Sequence, residues 1–314
     1  MLAFGAAALA ASDYPFKVDA QQDGRQNRVV AINSGRAPIY VTLSFTRAEN
    51  VDSDHPWPIR QVIPAGKTVE MARVYAGDPA RAYRFSYSYT WLFGDPAARP
   101  DPNATYRLPF EDGKSLSIAQ APGGPVFTHN TPDSSNAVDI AMPLGTTIVA
   151  ARAGYVIENV RPFDSGRLEP YFLDKSNFVR IMHDDGTWAD YAHLQKYSAN
   201  IYPGMRISAG TPIGLSGSSG YSSGPHLHFV VQRNDGGKVV SVPFRFWNRA
   251  DGAFVPVYQG ELVADYAGTL APALPTGTAA GADAPAPHKP RSVKECMGGA
   301  NVINEAVLRC TRGY

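Results

Sequence analysis

Short runs in which apolar and polar residues alternate are the feature that most limits the fold of this 314-residue chain. The clearest runs are Ile39 to Phe45 and Tyr83 to Trp91, where every second residue is apolar or aromatic. Successive side chains of a β-strand point to opposite faces, so this period predicts strands with one buried face. Gly and Pro separate the runs at turn positions such as 64–67. Because no long amphipathic helical pattern is present, the sequence predicts an all-β fold.

Composition divides the chain into segments. Residues 13–104 contain several short strands with turn signals, which predicts a small immunoglobulin-like β-sandwich. Residues 105–250 are rich in Gly and β-branched residues and predict a second, compact antiparallel β-domain. Residues 251–290 include a stretch rich in Ala, Pro, Gly and Thr, which is typical of a flexible linker. Residues 291–314 form a short tail that contains the two cysteines.

The two ends of the chain and its charge bear on its compartment. Residues 1–12 are apolar and Ala-rich, as at the end of a secretory signal, although an unstructured Ala-rich terminus would look similar. Cys296 and Cys310 are the only cysteines; in an exported protein we expect them to pair, the alternative being two unrelated thiols. The net charge of +1 gives no reason to expect a nucleic-acid partner. No apolar run is long enough to span a membrane. The possible export signal and the expected cysteine pair together predict a periplasmic or cell-surface protein.

Two histidines stand two residues apart at the start of an apolar run. His226 and His228 would point to one face of a strand, while Leu227 and Phe229 would point to the other and enter a core. Two adjacent imidazoles suit a metal site in which one binds the ion and the other transfers protons. This run alone leaves open that both are surface histidines on a half-buried strand.

Four pieces of sequence occur in a fixed order: His129, the stretch 139–146, His193 after Tyr-Ala, and the stretch 224–229. With them, residues 106–240 strongly resemble the lysostaphin-type, or LytM-like, zinc endopeptidases that cut peptidoglycan peptides. The resemblance implies an antiparallel β-domain of the duplicated hybrid motif type. It also implies a function in cell-wall remodelling, with peptide bonds of stem peptides or cross-bridges hydrolysed by metal-activated water and peptidoglycan as the partner.

The resemblance further implies one zinc ion per chain, bound by His129, Asp139 and His228. Three protein ligands leave a fourth position for water, which is typical of a catalytic zinc site. His193 and His226 match the two histidines that the family leaves unliganded. We expect one of them to act as general base and the other to stabilise the oxyanion or protonate the leaving amine.

The spacing of the first two ligands departs from the family's common form, in which Asp follows His by four residues. Asp133 has that spacing, whereas nine residues separate His129 from Asp139. We prefer Asp139 because the Ile-Ala-x-Pro-x-Gly-Thr that follows the family's ligand comes after it. The loop 130–136 is then expected to bulge out, so that His129 can return to the metal.

Other interpretations remain open at this point. A non-catalytic peptidoglycan-binding regulator of other wall hydrolases is the main alternative, and the intact ligand set argues against it. A lipoyl- or phosphocarrier-like β-domain is disfavoured, because the Asp-Lys hairpin tip that a lipoyl domain needs is not found. The Tyr191 hydroxyl could assist the transition state or simply pack, and Asn177 is expected to be structural. The front domain could bind wall material, shield the groove or contact a partner.

Overall fold

The computed structural model of the protein describes residues 14–198 and 200–266. The predicted signal at 1–12 and the cysteine-containing tail at 291–314 lie outside the described residues. Within the described ranges the predicted all-β fold is confirmed, since the one helical segment is a 3-10 turn at Pro170–Phe172. No helix in this part of the chain has the length and apolarity needed to cross a membrane.

The front part of the chain forms two antiparallel sheets, with strand orders β1-β2-β6-β4 and β5-β3-β7. The strands are β1 (Phe16–Asp23), β2 (Gln26–Asn33), β3 (Ile39–Glu49), β4 (Val51–Ser53), β5 (Ile59–Ile63), β6 (Lys67–Ala76) and β7 (Arg84–Phe93). Both sheets contribute to one core, with Val29 from the first and Val41 from the second. The alternating aromatic residues of β7 pack against this core half-buried. A likeness to the immunoglobulin fold stays a prediction.

The second part is built on a nine-stranded sheet, ordered β15-β12-β13-β14-β17-β10-β9-β21 with β18 paired to β17. Its described strands are β8 (Thr105–Arg107), β9 (Ser115–Gln120), β10 (Val138–Ala141), β11 (Thr147–Val149), β12 (Gly154–Val160), β13 (Phe178–Met182), β14 (Trp188–Ala192), β15 (Arg206–Ile207), β16 (Pro212–Leu215), β17 (His226–Asn234), β18 (Val239–Ser241), β19 (Arg245–Asn248), β20 (Gly252–Phe254) and β21 (Glu261–Val263). The strand pairings are antiparallel, as predicted, apart from the parallel pair of β8 and β19.

The two faces of this sheet differ in character. One face packs on the main core, to which β17 contributes Leu227, Phe229 and Val231. The separate β11–β16 hairpin adds Ile148 and Ile213 to the same core. Since side chains alternate along β17, the intervening histidines lie on the other face, away from this core.

Residues 252–266 correct the predicted start of the linker at residue 251. β20 pairs with β19, and β21 pairs with β9 at the edge of the large sheet. Leu262 is 1% exposed and Tyr266 is 4% exposed, so this stretch belongs to the folded part. Strands of three residues are too short to show a period, and the Ala- and Pro-rich composition of the predicted linker begins only near residue 270.

A small hydrophobic cluster joins the front part to the large sheet. Phe93 from β7 packs with Met182 and Trp188. These two residues pair with each other at one end of β13 and β14, and Ala192 lies at the other end. Beside it, the Asn234 side chain donates a hydrogen bond to the Gly94 carbonyl at 3.1 Å. Residues on both sides of the predicted domain boundary, between 104 and 105, share buried contacts. The boundary therefore stays a prediction.

Candidate functional site

Strand pairing brings the predicted site residues onto adjoining strands. In the β10–β17 pair, Asp139 lies opposite His228, and Ala141 lies opposite His226. β14 flanks β17 on its other side and places Ala192 opposite His228. The register of three strands thus gathers the carboxylate and two imidazoles on the face of the sheet that points away from the core.

The Asp139 carboxylate lies between two imidazoles. Its Oδ2 is 3.0 Å from Nε2 of His129, and its Oδ1 is 3.0 Å from Nδ1 of His228. Burial favours the protonated acid, but the hydrogen bonds from both histidines outweigh it and hold the pKa of Asp139 well below its usual range. Burial also opposes protonation of His228, yet its hydrogen bond to Asp139 raises the pKa of that imidazole above the ordinary value. Asp139 is therefore an ionised carboxylate at neutral pH.

His129 reaches this carboxylate from the loop between β9 and β10. Gln120, the last residue of β9, accepts hydrogen bonds from both the backbone N–H and the hydroxyl of Thr128, at 2.9 and 3.1 Å. On the other side, the ring of Phe127 packs edge-on against that of His129, with centroids 5.4 Å apart. These contacts fix the chain immediately before His129 and aim its imidazole at Asp139.

The loop 130–136 lies against β18. The backbone N–H of Ser241 donates to the carbonyl of Pro132 at 2.8 Å. Asp133 is exposed on this loop and is absent from the cluster of ligand atoms, which contains Asp139 instead. Asp139, and not Asp133, therefore lies beside the imidazoles, and its assignment as a metal ligand stays a prediction.

His129, Asp139 and His228 together form a donor set suited to a metal ion. Each offers one ligand atom, and these atoms lie within 4.8 Å of one another. One carboxylate oxygen and two imidazole nitrogens are ligands that zinc accepts, and three protein ligands leave a coordination position open. The residues present therefore fit the zinc ion that the resemblance implies.

Two further imidazoles lie beside this donor set. The rings of His193 and His226 have centroids 4.6 Å apart, and Nε2 of His226 is 3.9 Å from Oδ2 of Asp139. Nδ1 of His193 is 2.7 Å from the carbonyl oxygen of Ser219, and Nδ1 of His226 is 2.8 Å from that of Gly224. Because a carbonyl oxygen can only accept, each Nδ1 carries a proton, and in the neutral form of either ring Nε2 is the acceptor.

The surroundings of His193 favour a neutral imidazole. Burial, together with the nearby imidazoles of His226 and His228, lowers the pKa of His193 to about 3. A neutral imidazole with an unprotonated Nε2 can accept a proton from a reacting group. His193 also has φ of +64°, in the left-handed region that few residues other than Gly adopt.

Three residues near the motifs lie outside this cluster. The Tyr191 hydroxyl accepts a hydrogen bond from the N–H of Ala151 at 2.7 Å, and its ring is fully buried on the core face, so this side chain packs. His183 is buried at the end of β13 and lies apart from the four imidazoles of the site. Asn177 is fully buried and donates to the Leu194 carbonyl at 3.0 Å, which agrees with the expected structural role.

Sequence reasoning did not single out Ser176 and Ser219, both of which contact His193. The Ser176 hydroxyl accepts the backbone N–H of His193 at 3.2 Å, and the Ser219 carbonyl contacts its ring. Ser219 belongs to a Gly- and Ser-rich run, residues 217–224, just before the two histidines. That composition predicts a loop but does not indicate what the loop contacts.

Comparison with known proteins finds a described family that matches part of the chain. Residues 133–241 match the sequence model of Peptidase family M23, which confirms the predicted resemblance over this segment. An uncharacterized metalloprotease of Buchnera aphidicola subsp. Baizongia pistaciae is 35% identical over 107 residues, covering 34% of this chain and 25% of that protein. The peptidoglycan DD-endopeptidase ShyA of Vibrio cholerae serotype O1 is 36% identical over 96 residues, covering 31% of this chain and 20% of that protein.

A solved structure of the catalytic domain of lysostaphin from Staphylococcus simulans is also similar. It is 28% identical, and the match covers 38% of this chain and 78% of that chain, with a TM-score of 0.26. The matched segment spans a quarter or less of the length of the two curated relatives. The match to the family model begins after His129 and includes Asp139, His193 and His228.

Proposed function

We propose that this chain, which carries a segment of Peptidase family M23 at residues 133–241, is a zinc-dependent endopeptidase that hydrolyses peptide bonds in peptidoglycan. The observation that carries the proposal is the placement of a three-ligand donor set beside two imidazoles whose Nδ1 atoms donate to backbone carbonyls. The name of the Vibrio cholerae relative, a peptidoglycan DD-endopeptidase, supports this substrate class. Stem peptides or cross-bridges of the wall are the proposed substrates, which places the protein in the periplasm or at the cell surface.

We assign His129, Asp139 and His228 as the ligands of one zinc ion. When bound, zinc supplies Lewis acidity that polarises a carbonyl group and makes water more acidic at neutral pH. Asp139 contributes the negative charge, and Nε2 of His129 and Nδ1 of His228 contribute the neutral donors. An imidazole must be unprotonated at the nitrogen that binds a metal, so metal affinity should weaken as the pH falls.

His193 and His226 are assigned the proton transfers. In each ring the backbone contact at Nδ1 leaves Nε2 free to accept a proton. One imidazole takes the proton of the attacking water at Nε2 and can return it to the leaving amine. The other stabilises the developing oxyanion or protonates the leaving amine after its own Nε2 has taken up a proton from solvent. The two ring centroids are 4.6 Å apart, so both imidazoles can contact the same scissile bond from neighbouring positions.

Digestion of purified peptidoglycan, with and without a zinc chelator, tests this function. Mass analysis of the released fragments should show chelator-sensitive loss of cross-linked peptides and identify the bond that is cut. His193→Ala should abolish cleavage, whereas Asp133→Ala, which removes an exposed carboxylate of the neighbouring loop, should retain it. If the zinc-loaded protein leaves all cross-links intact, the proposal is wrong and a non-catalytic wall-binding role becomes the better explanation.

A further inference from the structure

The backbone at His193 is held in a conformation that needs support from its surroundings. His193 follows β14 directly and has φ of +64°, which side-chain-bearing residues adopt at a cost in conformational energy. Such strain persists only where neighbouring contacts fix it, and it is common where a side chain must be aimed at a reacting group. The contacts around His193 therefore show what fixes its direction.

Two of these contacts act on the backbone. The Ser176 hydroxyl accepts the His193 N–H at 3.2 Å, and the carbonyl of Asn177 accepts the N–H of Leu194 at 3.1 Å. Asn177 also donates from its side chain to the Leu194 carbonyl at 3.0 Å. The chain on both sides of His193 is thus tied to residues 176–177, directly before β13.

Ser219 connects these groups to the imidazole itself. Its hydroxyl accepts the N–H of Asn177 at 3.0 Å and donates to the carbonyl of Leu194 at 2.8 Å, while its own carbonyl receives Nδ1 of His193 at 2.7 Å. The residue is 4% exposed, so water does not compete for these bonds. One serine therefore fixes both the backbone beside His193 and the protonated nitrogen of its ring.

The close approach of the Ser219 loop to His193 depends on a neighbouring glycine. A Cβ at Gly217 would lie 2.8 Å from the His193 carbonyl oxygen and 2.7 Å from the Leu194 carbonyl carbon. Any larger residue would push the loop away from the histidine. The contact between Ser219 and His193 is consequently set by backbone packing as well as by hydrogen bonds.

We infer that Ser219, supported by Asn177, is a positioning residue that holds His193 as the Nδ1–H tautomer with Nε2 directed into the site. The catalytic significance of this arrangement rests on the proposed function, in which His193 transfers a proton. The tautomer does not rest on it, because it follows from the carbonyl contact alone. Without the Ser219 hydroxyl, the loop can shift relative to Asn177 and Leu194, and the Nδ1 contact that selects one tautomer loosens.

Nitrogen NMR of the full chain labelled with ¹⁵N-histidine tests this inference. Long-range proton–nitrogen correlations distinguish a protonated Nδ1 from a protonated Nε2 in each ring. We expect His193 of the wild type to show a protonated Nδ1 and an unprotonated Nε2. Ser219→Ala should move both His193 nitrogens toward values averaged between the tautomers, whereas Ser223→Ala, an exposed serine of the same loop, should leave them unchanged.

Kinetics and metal content complete the experiment. Ser219→Ala should lower kcat by about 10-fold or more, with KM within about twofold of the wild type, because the substrate contacts are unaltered. Its zinc content should equal that of the wild type, since Ser219 contacts none of the three ligands. If Ser219→Ala does not fold, Ser176→Ala removes a half-buried hydroxyl from the same histidine and should produce the same averaging in weaker form.

The results separate this inference from the proposed function. A wild-type His193 protonated at Nε2, or tautomers unchanged in Ser219→Ala, would overturn the positioning role. A reduced kcat with unchanged tautomers would mean that Ser219 acts through general stability. An Nδ1–H tautomer in a protein that cuts no peptidoglycan would uphold the positioning of His193 and contradict the endopeptidase proposal.

Discussion

Replacement of Trp188 by alanine tests whether the front part of the chain and the large sheet are stabilised by a common core. Trp188 is 2% exposed, packs with Phe93 and Met182, and donates from Nε1 to the side-chain carbonyl of Gln232 at 2.8 Å. Truncation of a buried tryptophan costs about 3–5 kcal/mol through lost burial and the cavity left behind. The unpaired Gln232 carbonyl adds about 1 kcal/mol. We therefore expect Trp188→Ala to lower the free energy of unfolding by about 5 kcal/mol.

Urea unfolding in the presence of a metal chelator measures this loss without the contribution of bound metal. Tyr202→Ala is a matched control, because that ring is 57% exposed and its removal should change stability by less than about 0.5 kcal/mol. If the two parts share a core, Trp188→Ala shifts the unfolding of both parts together. A loss below about 1 kcal/mol, or a shift confined to one of two separate transitions, would show that the two parts are not stabilised by a common core.

Three further changes test a buried histidine, a close glycine contact and the role of the front part of the chain. Burial lowers the pKa of folded His183 to about 4 from 6.5, so the unfolded chain takes up the proton first as the pH falls. The wild type should therefore lose about 3 kcal/mol more stability between pH 6.5 and 4 than His183→Gln does, measured by urea unfolding across that range. Gly166→Ala should lower the free energy of unfolding by about 2 kcal/mol in the same assay, because the new Cβ would lie 2.1 Å from the Ser218 carbonyl oxygen. Gly77→Ala is the control and should be nearly neutral, because its Cβ would make an ordinary contact at 3.5 Å. Removal of residues 14–104 should lower the melting temperature without raising peptidoglycan cleavage; a gain in activity would instead show that the front part shields the site.

The alternation of residues predicted the strands and their buried faces well. In β17 it separated His226 and His228 from the core residues between them, and the structure shows the same division. The alternating pattern does not indicate which part of the chain a buried face packs against. Trp188 is an example, because its partner Phe93 lies far away in sequence.

The histidines of the site could be found because each lies in a recognisable motif. Asp139 could be preferred over Asp133 from the residues that follow it, and the structure places only Asp139 among the imidazoles. Ser219 could not be found in this way, because its contacts depend on how the loop 217–224 packs on the segment before β13. Serine hydroxyls and backbone carbonyls leave no periodic or spacing signal in a sequence.

We assign Asp139 and two of the site's imidazoles as metal ligands, and we expect the other two imidazoles to stay unliganded. The most direct test is the zinc content of His228→Ala and His226→Ala, two changes on the same face of one strand. His226→Ala should retain one zinc ion per chain without peptidase activity, and His228→Ala should retain none. Full zinc occupancy in His228→Ala would contradict the assignment of the metal site.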